Sequence, residues 1–194
     1  MSSKMRITLT SPQQTRHNLD DSGAATDLGQ TPADIVFLSF SDSELQLLTR
    51  LHEKEDYPSL RCAQLAQLKH PYSVDLYLDA VAAHAKLIVL RLLGGKDYWA
   101  YGVEQLETLA RARGIRLAIV PGDVVDDMRL TRASTLDVET LNRIWRYFQD
   151  GGPDNLQNFL RYAATLTGRE MAWRESAPVA NAGRFTAEIG RAHV

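Results

Sequence analysis

Residues 35 to 38, Ile-Val-Phe-Leu, form an unbroken apolar run, the pattern of a strand covered on both faces. Ser41 followed by Glu44 matches a capping box, and Leu45, Leu48 and Leu51 then recur at helical spacing, which predicts a helix over 42–54. Pro58 marks a break, and residues 60–66 read as a strand, although periodicity alone also allows a helical continuation. After Pro71, Ser73 is the candidate cap of a helix over 73–85, whose apolar stripe is Val74, Tyr77, Leu78, Val81, Ala82 and Ala85. A strand over 87–93 comes next, then a helix over 97–113 stopped by Gly114, then a strand over 115–121.

Strands that alternate with helices of this length specify parallel crossovers, and in an open sheet these place helices on both faces. The expected fold class is therefore doubly wound α/β, of Rossmann or flavodoxin-like type with a mostly parallel sheet. Residues 124–168 read as a polar connection and a helical pair, with Leu141, Ile144, Trp145 and Phe148 on one helix and Leu156, Phe159, Leu160 and Ala163 on the other. The flanks are less regular. Residues 1–33 give a short β-like run at 5–10 and a polar loop, 34–123 the α/β domain, and 169–185 the start of a linker.

Composition narrows the function classes. With 44% hydrophobic residues in 194 positions, the chain can bury a substantial core. Lys and Arg number 22 against 24 Asp and Glu, so the charge balance gives no reason to expect nucleic acid or an anionic membrane as partner. The longest apolar run, 87–93, contains Arg91 and is far shorter than the roughly 20 residues that span a bilayer. The first residues, MSSKM, lack the apolar stretch of a secretory signal, which makes the cytoplasm the expected compartment. Cys62, the single cysteine, sits among Leu60, Ala63 and Leu65 and reads as a small core residue rather than a nucleophile.

The best candidate for chemistry is RLLGGKDYWAYG at 91–102, where a strand ends in Gly94 and Gly95 and a helix begins. Ligands of open α/β sheets bind outside the carboxyl ends of the strands, and a glycine pair there lets an anionic or amide group reach backbone N–H groups. Tyr98, Trp99 and Tyr101 would add aromatic surface for a flat ligand or a partner protein. The alternative is that the glycines make only a tight turn and the aromatic rings pack the helix onto the sheet. No GxGxxG, Walker A or G-x-S-x-G pattern is present, and His52, His70 and His84 fall on different elements, so no metal site or catalytic set is expected. His84 reads as a structural, hydrogen-bonded histidine, and Asp126 and Asp127 as solvated loop charges.

Several longer stretches carry a resemblance. DLGQTPADIVFLS at 27–39, HPYSVDLYLD at 70–79, RLLGGKDYWAYG at 91–102, IRLAIVPGD at 115–123, GGPDNLQNFLRY at 151–162 and WRESAP at 173–178 occur in this order. Together, over about residues 5–185, they resemble the amino-terminal region of the large subunit of aerobic, ATP-dependent cobaltochelatase. The magnesium chelatase large subunit belongs to the same wider family and is the nearest enzymatic alternative; a free-standing flavodoxin-like binding module is the alternative from another class. The resemblance implies a ligase of the aerobic cobalamin pathway, which inserts cobalt(II) into hydrogenobyrinic acid a,c-diamide. It also implies two AAA+-type ATPase partner subunits using ATP and Mg, a tetrapyrrole substrate, and further domains of the same subunit. It implies no cofactor or metal-insertion residue within this stretch, so the chain alone is expected to be inactive. Met1 to Lys4 precede Met5, which looks like the family's usual start. IGRAHV at 189–194 is what a common sequencing adapter encodes, so 186–194 are expected to be a non-native tail that packs against nothing, with a natural basic tail as the alternative.

Overall fold

A computed structural model of the chain describes residues 24–123 and 127–179. The β-like run at 5–10, Asp126 and the tail at 186–194 lie outside the described residues.

Four strands form one all-parallel sheet in the order β2-β1-β3-β4: β1 (Ile35–Ser39), β2 (Leu60–Gln64), β3 (Leu87–Leu92) and β4 (Arg116–Pro121). Every residue of β1 and β3 is buried, as expected of central strands covered on both sides. The alternation of side chains splits the core in two. Val36, Leu38, Ile88, Leu90, Leu117 and Ile119 point to one face, where α2 (Pro71–Ala80), α3 (Ala100–Arg113) and α4 (Met128–Ala133) cover them. Ile35, Phe37, Leu87, Val89, Ala118 and Val120 point to the other, under α1 (Asp42–His52), α5 (Val138–Asp150) and α6 (Gly152–Leu166). The doubly wound α/β class is the observed one, and the helical pair α5–α6 shares a core with the sheet.

The local departures have physical causes. Helix α2 starts two residues before the expected cap: Pro71 occupies its first turn, and the His70 ring accepts from the Tyr72 N–H at 3.1 Å. Ser73 instead accepts the Thr26 N–H at 2.7 Å, tying the preceding segment to the helix. The helix also ends at Ala80 and continues only as a 3-10 turn, Ala82–His84, in which His84 is exposed; the whole predicted apolar stripe is nevertheless buried. Another 3-10 turn, Lys96–Trp99, precedes α3, and Gly114 closes α3 in the left-handed conformation at φ 66°. The connection after β4, read as polar loop, contains α4, capped by Asp127.

Strand β4 is at one edge of this sheet and is covered by the turn after α4. Thr135 Oγ1 accepts from the Leu117 N–H, the Thr135 N–H donates to Leu117 O, and Ser134 Oγ accepts from the Ile119 N–H at 2.9 Å. These bonds occupy ladder groups that would otherwise template another strand.

Candidate functional site

At the carboxyl ends of the strands, the order reverses between β1 and β3, the place where open α/β sheets bind ligands. This chain fills the crevice with its own side chains. Arg91 continues the face of Leu87 and Val89, so its side chain is directed into the core beneath α1 and α5, where the residue is only 4% exposed. Its guanidinium pairs with Glu44, donates to Gly122 O at 3.0 Å and lies 4.6 Å from the centre of the Phe148 ring. Burial pulls the Arg91 pKa down from its ordinary value, and the Glu44 carboxylate opposes that pull. Glu44 also accepts from Ser39 Oγ at 3.0 Å, and Ser39 Oγ takes the Ser41 N–H at 3.1 Å. The capping box is thus half formed. Ser41 accepts the Glu44 N–H at 3.4 Å, but the Glu44 carboxylate is engaged by Arg91 rather than by the Ser41 N–H.

Gly94 and Gly95 adopt φ values of 80° and 75°, which side chains rarely tolerate. Beside them stands an internal carboxylate: Asp127 Oδ2 accepts the Lys96 N–H at 3.3 Å and would sit 2.9 Å from a Cβ built on Gly95. Asp127 also caps α4 through the Arg129 N–H, and Arg129 bridges it to Asp97. The Arg129 guanidinium holds the Asp127 carboxyl below the usual range. Asp127 is therefore a tie between the loops after β3 and β4 rather than the solvated charge expected from sequence, and it occupies the anion position beside the glycine pair.

The three aromatic residues part ways. Trp99 is 1% exposed, donates Nε1–H to Leu68 O at 2.9 Å and rests directly on Gly102. The Tyr101 hydroxyl donates to Asp75 at 2.7 Å, linking α3 to α2. Only Tyr98 keeps an exposed ring, packed edge-on against Phe40 with 5.2 Å between centroids. Together with exposed Leu93 and Met128, Tyr98 gives this rim an apolar character. Of the five predicted residues, Gly94, Gly95 and Tyr98 remain at the rim, whereas Trp99 and Tyr101 serve packing.

Among the described residues, no three His, Cys, Asp or Glu side chains cluster to hold a metal ion. His52 bonds to Pro58 O at 2.8 Å and His70 caps α2. Burial pushes the Cys62 thiol up to about 11, away from nucleophilic use. A cleft of about 120 Å³ between β4, α4 and α5 is lined by Ile119, Leu141 and Trp145 among others. It is smaller than the roughly 300–1,000 Å³ of ordinary small-molecule sites. No helix among the described residues is long and apolar enough to cross a membrane.

Comparison with known proteins decides the family. No family model matches the chain. Over 152 residues, 77% of this chain, it is 47% identical to the aerobic cobaltochelatase subunit CobN of Sinorhizobium sp. Over 151 residues it is 46% identical to the same subunit of Pseudomonas aeruginosa. The chain belongs to the aerobic cobaltochelatase CobN family. It spans 12% of the length of each of these CobN relatives. The catalytic subunit of cobaltochelatase from Mycobacterium tuberculosis shares the architecture, with a TM-score of 0.56 at 26% identity over 76% of this chain and 11% of that one. Within this chain, sequence reading missed the roles of Glu44, Arg91 and Asp127. The usable signal was Arg91 itself, a charge set inside an apolar strand.

Proposed function

We propose that this chain is the amino-terminal part of a cobaltochelatase large subunit that inserts cobalt(II) into hydrogenobyrinic acid a,c-diamide in the cytoplasm. ATP hydrolysis is supplied by two AAA+-type partner subunits using Mg. The observation that carries the reading is 47% identity to a CobN subunit across 77% of the chain. Both curated relatives are named for cobalt, which favours cobalt over magnesium as the metal substrate.

Metal insertion into a tetrapyrrole needs a cavity that encloses the macrocycle and a base that takes the pyrrole protons. The described residues present a small cleft and open grooves, and the half-buried Glu44 carboxylate at the strand ends is committed to Arg91. The chain by itself is accordingly proposed to be inactive, with the rim at Gly94, Gly95 and Tyr98 as its contact with tetrapyrrole or with the remaining domains of the subunit. The test is to incubate the purified chain with hydrogenobyrinic acid a,c-diamide, cobalt(II), ATP, Mg and both ATPase subunits, following absorbance, beside a complete CobN subunit. Turnover by the complete subunit alone is expected. Turnover by this chain would place the chemistry inside it and overturn the reading.

A further inference from the structure

Residues 169–179 contain no helix or strand, yet they are held along α6 by side chains at fixed spacing. Asn155 and Asn158, one turn apart on α6, are 6% and 9% exposed. The Asn155 amide pairs with both backbone groups of Ala177: Nδ2 donates to Ala177 O at 2.7 Å, and Oδ1 accepts the Ala177 N–H at 3.0 Å. An asparagine amide offers the same donor and acceptor as a peptide group, so Asn155 acts on Ala177 as a neighbouring strand would. Three residues earlier, the Arg174 N–H donates to Asn158 Oδ1 at 3.0 Å, and the Tyr147 hydroxyl donates to Arg174 O at 2.6 Å.

Side chains of the segment add to this grip. Trp173 packs edge-on against Tyr162 at 4.7 Å, and Arg143 lies 5.1 Å from the Trp173 ring while pairing with Glu175 at 2.8 Å. Asn155 Nδ2 also donates to Gly151 O and Asn158 Nδ2 to Asp154 O, which ties both amides to the start of α6. Both buried amides therefore depend on the strap for the donor to their oxygen. A shift of register by one residue would misplace both contacts at once, so the grip specifies one alignment.

We propose that residues 172–178 are a register-specific clamp that fixes the point and direction at which the chain leaves the α/β unit, with Asn155 and Asn158 as its positioning residues. In a CobN subunit such a clamp sets how this unit is held against the next part of the subunit, a consequence that rests on the proposed function; the clamp itself does not.

Hydrogen exchange on the whole chain tests it. The Arg174 and Ala177 amides are expected to exchange on the order of 100-fold slower than in an unstructured chain. Asn155→Ala removes that protection at Ala177, and Asn158→Ala removes it at Arg174, while β3 amides such as Val89 keep theirs. Should either variant fail to fold, Trp173→Ala and Glu175→Ala, which alter only the strap, are expected to speed exchange at both amides. A second readout is the distance between spin labels at Thr108 and Val179 in a Cys62→Ala background, narrow in the parent and broad when both asparagines are replaced. Unprotected amides in the parent, or variants that leave protection and distances unchanged, would overturn the clamp. Cobalt insertion by the complete subunit reads the proposed function separately, so the two can fail independently.

Discussion

Arg91 on the central strand and Glu44 in the first turn of α1, 47 residues apart, form an ion pair across the switch point of the sheet. The pair is lopsided: the Arg91 side chain is 5% exposed and that of Glu44 24%. Removing Glu44 takes the ion-pair partner from a buried cation that keeps Gly122 O and the charge of Asp123, whereas removing Arg91 leaves a carboxylate that water can still reach. Glu44→Ala is expected to cost about 3 kcal/mol, and Arg91→Met distinctly less, because methionine fills the space against Phe148 without a charge. Urea unfolding of the two variants checks the order, and a larger loss for Arg91→Met would show that the pair contributes more than its desolvation takes away.

Gly102 and Gly95 separate two reasons for glycine. A Cβ on Gly102 would stand 2.2 Å from the Trp99 ring, which is fully buried and cannot retreat. Gly102→Ala should cost about 2–3 kcal/mol through forced repacking. At Gly95 the penalty combines φ 75° with a 2.9 Å approach to Asp127, a side chain with more freedom, and about 1–2 kcal/mol is expected. Thermal unfolding ranks them; equal losses would mean that the Trp99 ring can shift to make room.

Cys62 offers a chemical check on burial. Its pKa stands at about 11 instead of 9.0, raised mainly by desolvation. At neutral pH the thiolate fraction falls by roughly 100-fold, since each unit is a factor of ten. Alkylation by iodoacetamide should be about tenfold slower than for a free thiol, less than the drop in thiolate because a more basic thiolate is also a better nucleophile, and recover fully in urea. A rate near that of free cysteine would contradict the placement of β2.

The fold was legible because strand and helix periods are written in apolar residues: Ile35 to Leu38, the stripe from Val74 to Ala85, and Gly114 as a stop all signal through local pattern. What escaped depends on partners distant in sequence. Glu44 has the spacing of a capping box, and only the position of Arg91 on the neighbouring strand draws its carboxylate away. Asp127 looks like one loop charge among several until the fold sets it beside Gly95 and Lys96, 31 residues earlier. Trp99 sits on the buried side of its turn, which three aromatics in four positions could not reveal, since they share no common period.

Glu55 carries the clearest acid dependence. It lies in the loop after α1 and accepts from Gln157 at 2.6 Å and Arg161 Nε at 3.0 Å, joining that loop to α6. The bond from Arg161 is the main cause that lowers its pKa from 4.5 to about 2. A carboxylate whose pKa is depressed on folding binds its proton more readily in the unfolded chain, so acid favours unfolding. Its stabilisation is whole above pH 4.5 and drains away as the pH falls toward 2. Glu55→Gln keeps the shape and removes the charge, so the stability gap between parent and variant should be widest near neutrality and close across that window. Arg161→Met should reproduce the same closing gap, because without the guanidinium Glu55 returns to its ordinary pKa. Asp56, also lowered by its partner Arg169, is 91% exposed and solvent-screened, so it should contribute little to the effect. Urea unfolding free energies of the three proteins at several pH values provide the measurement. A gap that stays constant with pH would mean the Glu55–Arg161 contact is not formed in the folded protein.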